Sequence, residues 1–346
     1  LLADGIITPP ISVASAIEGL GMVHGLENTI VPGNALTIGI VIVILSGLFF
    51  FQRFGTQAIG KSFGPIMTIW FSMLLVLGVL QIKHHPAILE ALSPHHAINL
   101  LWHYPKGFWL LGAVFLCTTG AEALYSDLGH CGKQNIHASW AFVKIALILC
   151  YFGQAAYVIS HKDVDYSNIA PFYAIMPEWF LEIGIVISTL ATVIASQALI
   201  SGCFSLINEA MKLKLWPNQK VIYPTLVQGQ IYIPFVNWLL FFGCVTVVLI
   251  FKESGRMEAA YGLAITVNML MTTSLLSRYL LIKRRPLIFI FLFLLIYLSI
   301  EGSFLVSNVL KFFHGGWFTF LIAAILFFVM YVLYKARILR SSYTEF

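Results

Sequence analysis

Charged residues are scarce in this chain. Its 346 residues include 20 Lys and Arg and 15 Asp and Glu, so that only 10% are charged, against about 25% in soluble domains. The chain also lacks an H-E-x-x-H zinc motif, and its five cysteines show neither metal-ligand nor disulfide spacing. The composition therefore excludes an ordinary soluble domain, and the motifs give no basis for an enzyme.

The chain instead contains many long apolar segments. Hydrophobic residues make up 59% of the chain, and its mean hydropathy is +0.89. A helix needs about 20 apolar residues to cross a bilayer, and these runs lack the alternating pattern of a transmembrane barrel. We predict an all-α polytopic membrane protein with about ten spans, at residues 1–22, 34–52, 62–82, 107–128, 138–159, 179–207, 233–251, 257–278, 286–310 and 317–336.

The basic residues separate the loops into two sets. Membrane proteins keep Lys and Arg on the cytoplasmic side, so the richer set is predicted to be cytoplasmic, together with the C-terminus. This topology accounts for the net charge of +5 without a nucleic-acid partner. The richer set is Arg53, Lys61, Lys133, Lys212, Lys214, Lys220, Arg278, Lys283, Arg284, Arg285, Lys335, Arg337 and Arg340, and the opposite set is Lys83, Lys106, Lys162, Lys252, Arg256 and Lys311.

One carboxylate lies in an apolar run, FLCTTGAEALYSDLG at 115–129, where Glu122 follows Thr118 and Thr119. An acidic side chain at bilayer depth costs about 2.5 to 3.5 kcal/mol, and such residues usually line a pathway or a polar cavity. Glu122 is therefore a candidate for binding a cation or a proton. The alternative is a carboxylate that caps a broken helix or pairs with a neighbour. Three other acidic residues, Glu18, Asp127 and Glu301, are given no role. Glu18 and Asp127 lie near predicted span ends, and for Glu301 a position inside its span is the alternative.

The first span carries a second group of oxygen atoms. Asp4, Thr8 and Ser12 follow one another at four-residue spacing, which aligns them on one helix face. Pro9 and Pro10 have no N–H to donate to the preceding turn, so two backbone carbonyls are freed as well. This arrangement suits a hard cation. The alternative is that the hydroxyls bond back to their own helix and pack it against its neighbours.

Several segments resemble one family. DGIITPPISVASAIEGL, FGPIMTIWF, TTGAEALYSDLGHCGK, ATVIASQALISGCFSL, GQIYIPFVNW, AAYGLAIT and HGGW are similar to signature segments of the Kup/HAK/KT potassium uptake permeases and occur in the family's order. The resemblance covers the whole chain. It implies the five-plus-five inverted-repeat fold of the amino acid, polyamine and organocation superfamily, with two extra helices and a discontinuous helix at 115–129.

The resemblance also implies domain boundaries. Residues 1–346 form a single transporter domain, with the rest of the first repeat at 1–82, the second repeat at 107–278 and the two extra helices at 286–336. The family's first two helices and its C-terminal cytoplasmic domain have no counterpart in this sequence, so we expect that something is missing upstream of Leu1.

The resemblance further implies the function and the site. Potassium-binding roles fall on Asp4, Thr8, Ser12, Thr119, Glu122 and Tyr261, with Asp4 and Glu122 as candidates for proton coupling. The implied activity is inward symport of potassium with a proton by alternating access. An amino-acid or polyamine permease, a channel-like potassium pathway and a membrane scaffold remain as alternatives.

The remaining expectations concern partners and location. No cofactor and no metal beyond potassium are expected. The expected partners are the lipid bilayer, potassium and protons, with a homodimer as an open alternative. The expected location is the plasma membrane, which is the inner membrane in a Gram-negative cell. Five histidines crowd the loop after the third span, namely His84, His85, His95, His96 and His103, but their spacing fits no defined metal site.

Overall fold

The computed structural model describes residues 2–27, 29–54, 57–120, 132–164, 166, 169–224 and 231–344. These residues form helices and loops, with one isolated antiparallel bridge between Ile222 and Tyr232. The α-helices are α1 Leu2–Glu18, α2 Ala35–Phe51, α3 Gln57–His84, α4 Pro94–His103, α5 Gly107–Leu116, α6 Lys133–Ser160, α7 Pro171–Ala174, α8 Glu178–Lys212, α9 Pro234–Phe251, α10 Ser254–Ile282, α11 Leu287–Val309 and α12 Gly316–Thr344.

The predicted all-α membrane fold is confirmed. Within the described residues, eight helices are long and apolar enough to cross a bilayer, namely α2, α3, α6 and α8 to α12. Each corresponds to one of the ten predicted spans. The other two predicted spans differ from the structure: 1–22 is a 17-residue helix followed by a 3-10 turn at Gly19–Met22, and in 107–128 the helix α5 already ends at Leu116.

Helix α1 lies at the centre of the packing, against α2, α8, α9 and α10. Its Ile7 and Val13 are fully buried in one cluster with Phe204 of α8 and Leu240 of α9. A glycine makes this approach possible, because a Cβ atom at Gly5 would lie 2.5 Å from the sulfur of Cys203. Helices pack closely in membranes where one of them presents such a small residue.

The two prolines inside α1 free the acceptors predicted from the sequence. Pro9 removes the N–H that would bond the carbonyl of Gly5. The structure supplies a donor from another helix, since the Cys244 thiol of α9 lies 3.8 Å from that carbonyl oxygen. At least one freed carbonyl thus accepts a hydrogen bond from a neighbouring helix.

Helices α3 and α6 cross at two glycines. A Cβ atom at Gly78 would lie 2.4 Å from the carbonyl oxygen of Leu149, and one at Gly153 would lie 2.6 Å from the Cα of Gly78. The helices therefore touch backbone to backbone. A second apolar cluster surrounds this crossing and joins α3 and α6 to the loop before α8 through buried residues that include Leu77, Cys150 and Ile175.

The loops alternate between two faces of the bundle. On one face, Glu18 at the end of α1 accepts hydrogen bonds from the backbone N–H (2.9 Å) and the hydroxyl of Ser254 at the start of α10. On the other, Arg337 of α12 donates to the carbonyl of Leu213 after α8. Four residues of the richer basic set, Lys212, Lys214, Arg337 and Arg340, line one cavity on this second face. Which face is cytoplasmic stays a prediction.

The loop helix α7 is held against α1 by a buried tyrosine. The Tyr173 hydroxyl lies 3.2 Å from the Ser188 hydroxyl and donates to the carbonyl of Ala16 at 3.4 Å. The pKa of this phenol is raised above its ordinary value, chiefly by burial. The hydrogen bond to Ser188 lowers the pKa by a smaller amount, and the nearby Glu18 carboxylate adds to the increase. The phenol is therefore neutral at physiological pH.

Two sequence motifs can be judged from their structural setting. The five clustered histidines lie around a 3-10 segment at Pro86–Leu92 and around α4, and most are exposed. In the part of the chain that the structure describes, no three His, Cys, Asp or Glu side chains are grouped to hold a metal. The pattern G-x-S-x-G occurs once, at 60–64, but inside the helix α3, whereas a nucleophile elbow requires a turn between a strand and a helix.

Candidate functional site

Asp4 is a buried carboxylate near the start of α1, with 4% of its surface exposed. The Thr8 hydroxyl, one turn later, donates a hydrogen bond to Asp4 Oδ1. The predicted alignment of these two side chains on one helix face is therefore present. Ser12 is half-buried on the same helix, and it lines neither of the two cavities described below.

Asp4 opens onto a cavity of about 200 Å³ between α1, α10 and α12. The lining is mostly apolar, with Asn268 of α10 and Thr319 of α12 as its other polar side chains. The Thr319 hydroxyl donates to the carbonyl of Ala260 at 2.9 Å, so it also joins α12 to α10. The cavity is large enough for a few water molecules.

The segment after α5 provides a second group of oxygen atoms. The helix stops at Leu116, and Gly120 has a φ of +109°, which favours glycine. The hydroxyls of Thr118 and Thr119 donate to the carbonyls of Phe115 and Leu116, at 2.8 and 3.0 Å. The family resemblance implies a discontinuous helix at 115–129, and the end of α5 is the part of it that lies within the described residues.

Thr119 meets Tyr261 of α10. The two hydroxyl oxygens lie 3.4 Å apart, although the residues are separated by 142 positions in the chain. Either hydroxyl can be the donor of this contact. Two of the six predicted site residues are thus brought together from distant segments. Glu122 lies at 121–131, outside the described residues.

A second cavity, of about 270 Å³, lies beside Thr118 and Thr119. It is lined by α10 and α11 and contains more oxygen atoms than the first. Its polar lining consists of Thr118, Thr119, Asn268, Thr272, Thr273, Tyr297 and Glu301. Asn268 also lines the Asp4 cavity, so α10 separates the two cavities and contributes to both.

Four of these polar residues were not singled out from the sequence: Asn268, Thr272, Thr273 and Tyr297. A signal was present, since Asn268 and Thr272 are four residues apart and so share a helix face. It is weak, because the Thr272 hydroxyl bonds the carbonyl of Asn268 in its own helix, as most hydroxyls in membrane helices do. Glu301, noted but given no role, is internal to α11 and buried.

Two neighbouring polar residues of α11 contact the short helix α5: the Ser307 hydroxyl donates to the carbonyl of Trp109 at 3.0 Å, and Asn308 lies against Gly112. Asn308 of α11 is fully buried, and its amide nitrogen donates to the Thr266 hydroxyl at 3.3 Å. Its side-chain oxygen lies 3.0 Å from the position of a Cβ at Gly262 and 3.3 Å from one at Gly112. Two glycines of different helices thus make room for this amide where α5, α10 and α11 meet.

The fold and its buried polar groups define a multi-pass helical membrane protein with oxygen-lined cavities, one of which lies beside the end of α5. Residues 1–338 match the family described as K+ potassium transporter integral membrane domain. The chain therefore belongs to this family, and the resemblance to the Kup/HAK/KT permeases is confirmed. No solved structure matches the chain.

Curated relatives from several bacteria carry the name "Probable potassium transport system protein Kup". The one from Flavobacterium psychrophilum is 55% identical over 350 residues, covering 100% of this chain and 52% of its own length. Those from Cytophaga hutchinsonii and Clostridium perfringens strain SM101 are 54% and 47% identical over 352 residues, again covering 100% of this chain, and 52% and 54% of their own lengths. The chain thus spans about half the length of these relatives.

Proposed function

We propose that this chain carries potassium into the cell, coupled to the entry of a proton, as the membrane part of a transporter working by alternating access. The observation that carries the proposal is the family match over residues 1–338. The names of the relatives, which are potassium transport proteins, support the choice of ion. The location we propose is the plasma membrane, with the C-terminus in the cytoplasm.

The proposed potassium ligands are Asp4, Thr8, Ser12, Thr119, Glu122 and Tyr261. Two contacts support this set, namely the hydrogen bond from Thr8 to Asp4 and the approach of Tyr261 to Thr119 at 3.4 Å. Hydroxyl and carboxylate oxygens can replace part of a hydration shell, and the number and field strength of such oxygens contribute to ion selectivity.

Coupling to a proton increases the driving force for accumulation. One positive charge that crosses 100 mV releases about 2.3 kcal/mol, so the entry of a second charge roughly doubles this free energy. We assign the proton to Asp4, which is buried, or to Glu122, which lies in an apolar run of the sequence. A carboxylate can bind either a proton or a cation, so the two can compete for the same group.

The site is tested by rubidium uptake in cells that lack their own potassium uptake systems and express the complete gene product. Tyr261→Phe removes the hydroxyl that faces Thr119, and the loss of about 1 kcal/mol should raise KM about fivefold. Tyr223→Phe is the matched control, because Tyr223 is 68% exposed outside the spans. Equal KM values for the two variants would contradict the assignment of Tyr261.

The coupling is tested separately in vesicles whose membrane potential is clamped at zero. Symport predicts that an inward proton gradient drives rubidium accumulation, and that Asp4→Asn or Glu122→Gln changes the dependence of uptake on external pH. A channel-like pathway predicts no accumulation under the clamp. Parental pH profiles for both variants would refute the assignment of the proton to these carboxylates.

A further inference from the structure

Glu301 is a carboxylate buried deep within a spanning helix. It lies in α11, eight residues before the helix ends at Val309, which is roughly 12 Å along the helix axis. Only 4% of its surface is exposed. An ionisable side chain at such a depth is costly, and it usually faces a polar cavity or an ion pathway.

The two carboxylate oxygens of Glu301 differ in their hydrogen bonding. Oε1 accepts a hydrogen bond of 2.7 Å from the Thr273 hydroxyl on the neighbouring helix α10. Oε2 is buried and has no hydrogen-bond partner in the part of the chain that the structure describes. A buried carboxylate oxygen without a partner forfeits a substantial solvation free energy. Cross-helix packing alone would need only the first of these two oxygens.

The surroundings of Glu301 suit a cation. The side chain lines the cavity of about 270 Å³ together with Thr118, Thr119, Asn268 and Thr272. These residues supply hydroxyl and amide oxygens, and no Lys, Arg or His is found among the described residues lining this cavity. A water molecule occupies about 30 Å³ in the liquid, so the volume admits a monovalent cation with part of its hydration shell.

We propose that Glu301 forms a second monovalent-cation site, in which its Oε2 and the oxygens around this cavity hold a partly hydrated potassium ion. This inference rests on the proposed potassium transport and deepens it. The second site adjoins the first at Thr119, which lines the cavity and contacts Tyr261. An ion at Glu301 therefore lies next to Thr119 of the proposed transport site, in a different cavity from Asp4.

The experiment measures rubidium binding directly, on the purified complete protein in nanodiscs, at constant ionic strength with N-methylglucamine as the replacement cation. Glu301→Gln keeps the shape of the side chain and its contact with Thr273 but removes the charge. We expect this variant to lose one bound rubidium per protein while the remaining binding is kept. Glu209→Gln is the control, because Glu209 is an exposed residue that pairs with Lys212, and it should bind as the parent does.

A second variant covers the case in which Glu301→Gln does not fold. Thr273→Val retains the carboxylate but removes the hydroxyl that orients it, so we expect binding at this site to weaken about fivefold with unchanged stoichiometry. Parental stoichiometry in Glu301→Gln overturns the inference. If Glu301→Gln does not fold, parental affinity in Thr273→Val overturns it instead.

Uptake and binding together separate the two proposals. If the parent binds rubidium at Glu301 but cells expressing it take up none, the second site stands and the proposed transport function fails. If the parent transports rubidium and Glu301→Gln binds as many ions as the parent, the transport function stands and the second site fails. A parent that binds no rubidium also overturns the second site.

Discussion

Adding one methyl group at Gly78 should open the crossing of α3 and α6. In Gly78→Ala the new Cβ would lie 2.4 Å from the carbonyl oxygen of Leu149, 2.5 Å from its carbonyl carbon and 2.7 Å from the backbone nitrogen of Cys150. Ordinary contacts between heavy atoms begin near 3.5 Å. The helices must therefore separate by about 1 Å, because backbone atoms cannot rotate away as a flexible side chain can.

Overpacking of this kind costs about 1 to 3 kcal/mol, and the rigidity of the opposing backbone places the expected loss near the upper end. Since 1 kcal/mol shifts the melting temperature of a large domain by about 2 °C, we expect Gly78→Ala to melt about 5 °C below the parent. Thermal unfolding in detergent, followed by intrinsic fluorescence, measures the difference.

The matched control lies in the same helix. A Cβ atom at Gly64 meets nothing within 4 Å, so Gly64→Ala should leave the melting temperature unchanged or raise it slightly through better helix propensity. Gly153→Ala tests the crossing from the other side, because its Cβ would lie 2.6 Å from the Cα of Gly78. The reasoning is refuted if Gly78→Ala melts together with Gly64→Ala.

Three further changes test other contacts by the same thermal assay. Asn308→Leu should lower stability by about 1 to 3 kcal/mol, because it removes the hydrogen bond to Thr266 and enlarges a side chain held between two glycines. Glu18→Gln should lower it by about 1 kcal/mol, because the charged acceptor at the start of α10 is lost. Arg284→Gly should raise it by about 1 kcal/mol, because Arg284 has a φ of +53°, a conformation that costs non-glycine residues.

Each of these three changes has its own control or contrary result. For Glu18→Gln the control is Glu27→Gln, because the Glu27 side chain is 57% exposed. Equal melting temperatures of the two variants would show that the Glu18 carboxylate does not stabilise the start of α10. Asn308→Leu melting at the parental temperature would show that the amide does not fix α5. A lower melting temperature for Arg284→Gly would mean that the guanidinium contributes more than the strained backbone costs.

The helices were predictable because their apolar runs are long and bounded by polar loops. Two helices, α1 and α5, end earlier than predicted, and each early end has a local cause. Helix α1 is shorter than predicted because a 3-10 turn begins at Gly19, next to the ring of Tyr173. Helix α5 stops at Leu116, where the two threonines bond the last carbonyls, and the hydropathy of the run does not show this end.

The candidate site was predictable only where its residues are neighbours in the chain. The contact between Thr8 and Asp4 follows from four-residue spacing. Thr119 and Tyr261 are 142 positions apart, so no local pattern could join them, and the resemblance alone supplied Tyr261. Thr273 became visible only once the packing of α10 against α11 showed that its hydroxyl reaches Glu301.

The two described carboxylates next to the cavities are stabilised in different ways, and this difference has a mechanical consequence. Asp4 takes its hydrogen bond from Thr8 of its own helix, so the pair moves as a unit whenever α1 moves. Glu301 takes its hydrogen bond from Thr273 of the neighbouring helix. A displacement of α10 relative to α11 would break this bond and leave both carboxylate oxygens to a cation or water. Because Asn268 of α10 lines both cavities, the same displacement would also change the wall of the Asp4 cavity while the bond from Thr8 to Asp4 stays intact.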